Sequence, residues 1–240
     1  DREAEPLHRP ADRVTALTVA SIAEVRLGRE DDAARHLNLA MHLWEKVRAL
    51  PSDLEWRERR SGDRRLFSTA VGHLLGTLSP PPSSDRVRAA FDMTQRFKTR
   101  TLLERVRRSR THFTIPGPTA TLETLQREIL RDGEVLVDFL VGEGTSYVFA
   151  VTRDTCLAAA LPGVEELASR VDCYRDFLAT PVRQGSKQSG DRYSTAGEEI
   201  GSLLLGPVAS VLETASRIFF ALDGPLYALP FDALRLPADD

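Results

Sequence analysis

The side chains able to do nucleophilic chemistry are two cysteines, Cys156 and Cys173, and five histidines, His8, His36, His42, His73 and His112. A cysteine nucleophile needs an imidazole within hydrogen-bond reach to take its proton. All five histidines precede residue 113, both cysteines follow it, and none of the histidines is followed by glycine. His36 falls between stripe residues of a helix, His42 lies beside Leu43-Trp44, His73 adjoins Leu74, and His112 is close to a linker; packing or exposure accounts for them. Cys156 reads as a strand residue and Cys173 as part of an amphipathic helix, where free cysteine behaves as a small hydrophobe. Ser146, Ser194 and Ser202 lack a Gly-x-Ser-x-Gly elbow. Gly142-Glu143-Gly144 has no third glycine or lysine for a phosphate and runs from one strand into another. Asp223-Gly224 reads as a tight turn, and no zinc-type Cys/His spacing occurs. No catalytic, cofactor-binding or metal-ligating residue is assigned, and no cofactor is expected.

The elements that would position such groups fall into two halves. With 240 residues, 42% hydrophobic, 28% charged and a net charge of −3, the chain has an ordinary globular composition. No apolar run approaches the roughly 20 residues that span a bilayer, and the stretch from Asp1 to Pro10 is no signal peptide. A cytoplasmic location is expected. Residues 1–112 carry 22 Lys+Arg against 16 Asp+Glu, whereas residues 113–240 carry 10 against 19. Such a shift indicates two structural units, and Pro116-Gly117-Pro118 marks the linker between them.

The basic half reads as helical. Two helical stretches flank Gly28-Arg29-Glu30-Asp31, and in the second Ala33, Leu37, Ala40 and Trp44 form one apolar stripe. Leu17, Ala20 and Ala23 would belong to the first. This pattern resembles a tetratricopeptide repeat, and a plain helical bundle is the alternative. A further helix is expected through Leu66, Ala70, Val71, Leu74 and Leu75. The charge run Arg57–Arg65 before it reads as a solvated face. Ser84 is the expected N-cap of a long helix reaching about Arg110. That helix is crowded with Arg96, Lys98, Arg100, Arg105, Arg107, Arg108 and Arg110. Apart from Phe97, which belongs to the helix's apolar set, no aromatics interleave with them to stack bases, which argues against nucleic acid and for docking on the acidic half.

The acidic half alternates strands and helices. Thr121–Arg131 reads as a short helix, Glu134–Val141, Tyr147–Val151 and Cys156–Leu161 as an antiparallel meander, and Val164–Leu178 as a helix. Pro181–Gly197 is polar and aperiodic and is expected to be a mobile loop. A helix through Ile200–Leu212 must be kinked or split by Pro207. Arg217–Leu222 has the unbroken apolar composition of a strand buried on both faces.

From Ile218 to Leu234 the chain resembles the start of the CHAT domain, a caspase-like module found with tetratricopeptide repeats. Asp223, Gly224, Leu226, Leu229, Pro230, Phe231 and Leu234 match the family pattern. Ala90-Phe91 with Gln95, Lys98, Arg100 and Leu102-Leu103-Glu104 is similar to the helix joining repeats to that domain, and Glu134–Phe139 and Tyr147–Val151 to its opening strands. The resemblance implies a mixed α+β and α/β architecture. Residues 1–112 would be a tetratricopeptide-like helical arm with a long connecting helix. Residues 113–240 would be the N-terminal portion of a caspase-like domain, comprising the β-meander, two helices and the first central strand.

It also implies a cysteine peptidase in which histidine activates a thiolate that attacks the scissile carbonyl. Both catalytic motifs of the family follow the segment matched by Leu229-Pro230-Phe231, so no residue here inherits either role. The expected partners are a protein or peptide on the helical arm and the remaining C-terminal part of the protease domain, with no membrane and no nucleic acid. The alternative is a degenerate CHAT-like interaction scaffold without peptidase activity.

Overall fold

The computed structural model describes residues 10–47, 56–78, 81–108, 121–179 and 187–235. Helices α1 (Pro10–Arg26), α2 (Glu30–Val47), α3 (Trp56–Leu75) and α4 (Ser84–Arg108) come first. A short helix, α5 (Leu122–Thr124), runs into one π-helical turn, Leu125–Ile129. Strands β1 (Glu134–Leu140), β2 (Thr145–Val151) and β3 (Cys156–Pro162) lead to α6 (Val164–Ala179), α7 (Lys187–Leu205) and α8 (Ala209–Leu212). β4 (Arg217–Ala221) and two 3-10 turns complete this mixed α+β fold.

The α1–α2 hairpin closes as its glycine dictates. Gly28 adopts φ +72°; its N–H donates to Val25 O at 3.1 Å and that of Arg29 to Glu24 O at 2.8 Å, a Schellman motif. The α2 stripe of Ala33, Leu37, Ala40 and Trp44 is buried throughout. Leu17, Ala20 and Ala23 lie on α1, as expected, and the buried face of that helix is largely polar. Val14, Thr18, Ser21 and Glu24 are inside, and Ala23 is exposed. The two hydroxyls are satisfied within their own helix, Thr18 donating to Val14 O at 2.8 Å and Ser21 to Thr18 O at 2.7 Å. Glu24 meets His36 Nδ1 at 2.8 Å. A hydroxyl that bonds its own helix is buried at little cost, so polarity hid this face from an apolar-period reading. At the start of α4 the capping oxygen belongs to Ser83, which accepts the Arg86 N–H at 3.4 Å, one residue before the expected cap.

The sheet order is β3-β2-β1-β4, with β1, β2 and β3 an antiparallel meander and β4 parallel to β1. Period-2 alternation divides its side chains between two cores. Leu140, Tyr147, Phe149 and Val151 join Phe67, Phe91 and Trp44 of the first helices. Val135, Val137, Phe139, Val148 and Ala150 join Leu167, Val171, Ile200 and Leu204 of α6 and α7. The sheet therefore lies between two helical layers. Phe91 meets Phe149 edge-on at 5.7 Å between ring centres, fixing α4 to the centre of the sheet.

Two expectations need correction. Lys187–Gly197, expected as the second part of a mobile loop, is the first half of α7; residues 180–186 lie outside the described residues. With no proline between Pro181 and Pro207, the helix anchored by the buried Ile200 and Leu204 extends through polar sequence that is only mildly unfavourable to it. Pro207 does split the helix, sitting in a 3-10 turn between α7 and α8. The second correction concerns β4. Its Ile218, Phe219 and Phe220 are each more than a third exposed, because β4 is the outermost strand and pairs on one side only among the described residues.

Candidate functional site

Charged side chains of α3 and α4 converge on the carboxyl ends of the two parallel strands. On α3, Arg64 continues the buried stripe of Phe67, Val71 and Leu75, three, seven and eleven residues on. Its guanidinium forks onto Asp223 just after β4, with Nη1 donating to Oδ2 at 2.7 Å and Nη2 to Oδ1 at 3.0 Å. Nη1 also donates to Val141 O at 2.7 Å, and the Val141 N–H donates to Asp223 Oδ2 at 2.9 Å. Asp223 thus satisfies the end of β1 and the helical layer with one carboxylate. Such planar bidentate pairs are the strong form of the interaction.

On α4, Gln95 and Lys98 extend the stripe of Val87 and Phe91. Gln95 Nε2 donates to Asp138 at 2.6 Å, and Lys98 pairs with the other oxygen of the same carboxylate. Lys98 Nζ also donates to Ala221 O of β4 at 3.1 Å. Asp138 sits mid-strand in β1 and is 1% exposed. Burial pushes its carboxyl above the ordinary range; the Lys98 charge and the bonds from Lys98 and Gln95 pull it down, Asp223 pushes it further up, and the net is upward. Removing Lys98 would take away the pull that opposes burial and push this carboxyl further up. An exposed pair, Arg65 with Glu143 of the β1–β2 turn, lies beside the Arg64 pair.

Each of these three pairs joins the basic half to the acidic half. Arg64, Arg65 and Lys98 come from residues 1–112, and Asp138, Glu143 and Asp223 from residues 113–240. Docking of the basic half on the acidic half was expected for the arginine-rich helix, and Lys98 does so. The charge run Arg57–Arg65 reads as a solvated face, and local pattern gives Asp138 no role. Arg64 and Asp138 each carry a signal all the same: a charge on the buried stripe of a helix, and an acid inside an apolar strand.

The candidate nucleophiles are placed elsewhere. Cys156, on β3, has its thiol pushed up to about 12 by burial, and then by the Asp92 and Asp138 carboxylates. A protonated thiol is neither nucleophile nor ligand at neutral pH. Cys173 is exposed on α6, in the layer opposite α2 and α3, which carry His36, His42 and His73. His8 and His112 lie outside the described residues, as does the expected seam at 112–113. Ser146 is fully buried, accepting the Gly142 N–H at 3.2 Å within the β1–β2 turn. Ser202 and Ser194 fall in α7. Asp223-Gly224 is the expected turn, with φ +57° at Gly224. Among the described residues no group of His, Cys, Asp and Glu could hold a metal ion, and no helix is long and apolar enough to cross a membrane. No family model, curated protein or solved structure matches the chain.

Proposed function

We propose that the chain is the front, non-catalytic portion of a repeat-linked caspase-like (CHAT) cysteine peptidase, its helical arm serving protein–protein interaction or regulation. One observation carries this reading: β4, Arg-Ile-Phe-Phe-Ala, has the composition of a sheet interior and stands at the sheet's open edge. Aligned with β1 in parallel register, Ile218 beside Val135 and Phe220 beside Val137, it offers apolar side chains on both faces. An exposed edge of that kind is a template for another strand. In the proposed architecture β4 is the first central strand, and further strands of the same sheet pair on its free edge. Their carboxyl ends would bring the histidine and cysteine beside the Asp223 turn, the end of an α/β sheet where ligands bind.

The test compares two proteins. Residues 1–240 should cleave nothing in a mixed peptide library; alkylator-sensitive cleavage that is lost in Cys156→Ala or Cys173→Ala would overturn the assignment. A protein extended by the coding sequence after Asp240 should cleave, with loss of activity when a strand-terminal cysteine there is replaced by alanine. An extended protein that binds peptides on its helical arm and cleaves none would make it an interaction scaffold.

A further inference from the structure

We propose that the pairs Arg64–Asp223 and Lys98–Asp138 act as a two-point coupling through which the position of α3 and α4 sets the conformation of the turn from Asp223 to Phe231. This inference is independent of the peptidase reading. Within three residues, β4's exit is held twice by the helical layer: Ala221 O accepts from Lys98, and Asp223 accepts from Arg64. Immediately afterwards the chain passes to the other side of the sheet. Leu226 and Leu229 are buried in the core formed with α6 and α7, and Phe231 packs on Phe139 and Phe220 at 5.8 and 4.7 Å between ring centres. The Tyr174 hydroxyl donates to Ala233 O at 3.2 Å, tying the segment to α6.

Asp223 is therefore the point where the two layers meet through one chain. Loss of the guanidinium fork frees the carboxylate from α3 and removes the geometry that aims Oδ2 at the Val141 N–H. The Asp223 turn then loses its anchor on β1 as well. A discrete, polar, bidentate latch of this kind can be undone at a single side chain, unlike packing distributed over an apolar face. Coupling is reciprocal, so a change at Phe231 must reach α3 as surely as one at Arg64 reaches the turn.

Residue-resolved amide exchange on the full chain tests this with Arg64→Met, Asp223→Asn and the double variant. Exchange at Val141, Leu226 and Leu229 should quicken at least tenfold in either single variant. Phe149 and Ala150, in the middle of the sheet, should keep their native rates. The double variant should be no faster at the turn than the faster single. Phe231→Ala should quicken exchange around residues 64–68 of α3. Equal acceleration at Phe149 and Leu226 would reduce the pair to general stability and overturn the coupling, as would unchanged rates at the turn or multiplicative effects in the double variant. If Arg64→Met does not fold, Arg64→Lys keeps the charge without the fork and should quicken the same three amides by a smaller factor; uniform quickening there overturns the proposal equally.

Discussion

The two outer strands of the sheet are built to opposite rules. β3, Cys-Leu-Ala-Ala-Ala-Leu-Pro, presents short side chains and ends in proline, the features that blunt an edge. Cys156 and Ala158 pack toward α4, and Ala159 and Leu161 toward the opposite layer, while Leu157 and Ala160 stay exposed. β4 presents three large apolar side chains in a row, Ile218, Phe219 and Phe220, each more than a third exposed. Side chains of that size stabilise a fold only where both faces and the neighbouring strand are covered, at roughly 25 cal/mol per Å² of apolar surface removed from water. The contrast therefore separates an edge designed to stay in solvent from one whose composition matches the interior.

The largest expected effect concerns the β3 side. With its thiol pushed up from 9.0 to about 12, Cys156 should hold about a thousandfold less thiolate at pH 8 than an ordinary cysteine. Iodoacetamide at pH 8, followed by peptide mapping, should label exposed Cys173 long before Cys156. Comparable rates at the two thiols would show that β3 opens to solvent and is not the closed edge described above.

Next in size is the difference between an interior ring and an edge ring. Phe149, fully buried at the centre of β2, should cost roughly 3–5 kcal/mol on replacement by alanine. Phe219→Ala in the same chain should cost under about 1 kcal/mol, in the range of surface substitutions. Urea unfolding of both variants measures the gap. Equal losses would mean that the β4 edge is already covered in the isolated chain.

How much of this contrast was legible in the sequence depends on the physical signal available. The strand Arg217–Leu222 is readable from its apolar run, and the meander from its β-forming runs and the turns at Gly142-Glu143-Gly144 and Arg153-Asp154. Composition records how a strand is meant to be buried, while its position at an edge depends on which strands pair, and pairing is non-local. The polar inner face of α1 escaped for a different reason: Thr18 and Ser21 bond their own helix, and an apolar period does not register them. At the site, Lys98 and Gln95 are legible through the family resemblance. Arg64 sits in a charge run that masks its spacing to Phe67 and Val71 on the buried stripe. Its partner, 159 residues away, could not be named from local pattern.

A smaller effect tests whether the β4 edge is adhesive. Phe219→Lys should lower concentration-dependent association of the chain, read as the apparent mass in sedimentation between low and high micromolar protein, whereas Leu157→Lys on β3 should leave it unchanged. Charge on an edge strand opposes strand addition by burying an unpaired cation. Identical behaviour of the two variants would remove the distinction between the edges.

The smallest effect lies beneath the open edge, at Asp138, which stands opposite Ala221 of β4 in the parallel register. Burial is the main cause that raises its carboxyl, against the opposing pull of Lys98. A carboxyl whose folded-state pKa lies above its unfolded value binds its proton more tightly in the native protein. Its contribution to stability is then fully present below the unfolded value, near 3.8, and is lost as pH rises through the raised folded value. Asp138→Asn removes this titration and keeps a side chain of similar shape. Unfolding free energies of both proteins, measured at intervals from pH 7 down to pH 5, should therefore diverge in favour of the native sequence as the pH falls. A difference that moves the other way would mean that the Lys98 and Gln95 bonds outweigh desolvation. The acid would then be an ionised anchor for β4, held by charge attraction on the side of the sheet where the β3 edge relies on small apolar packing alone.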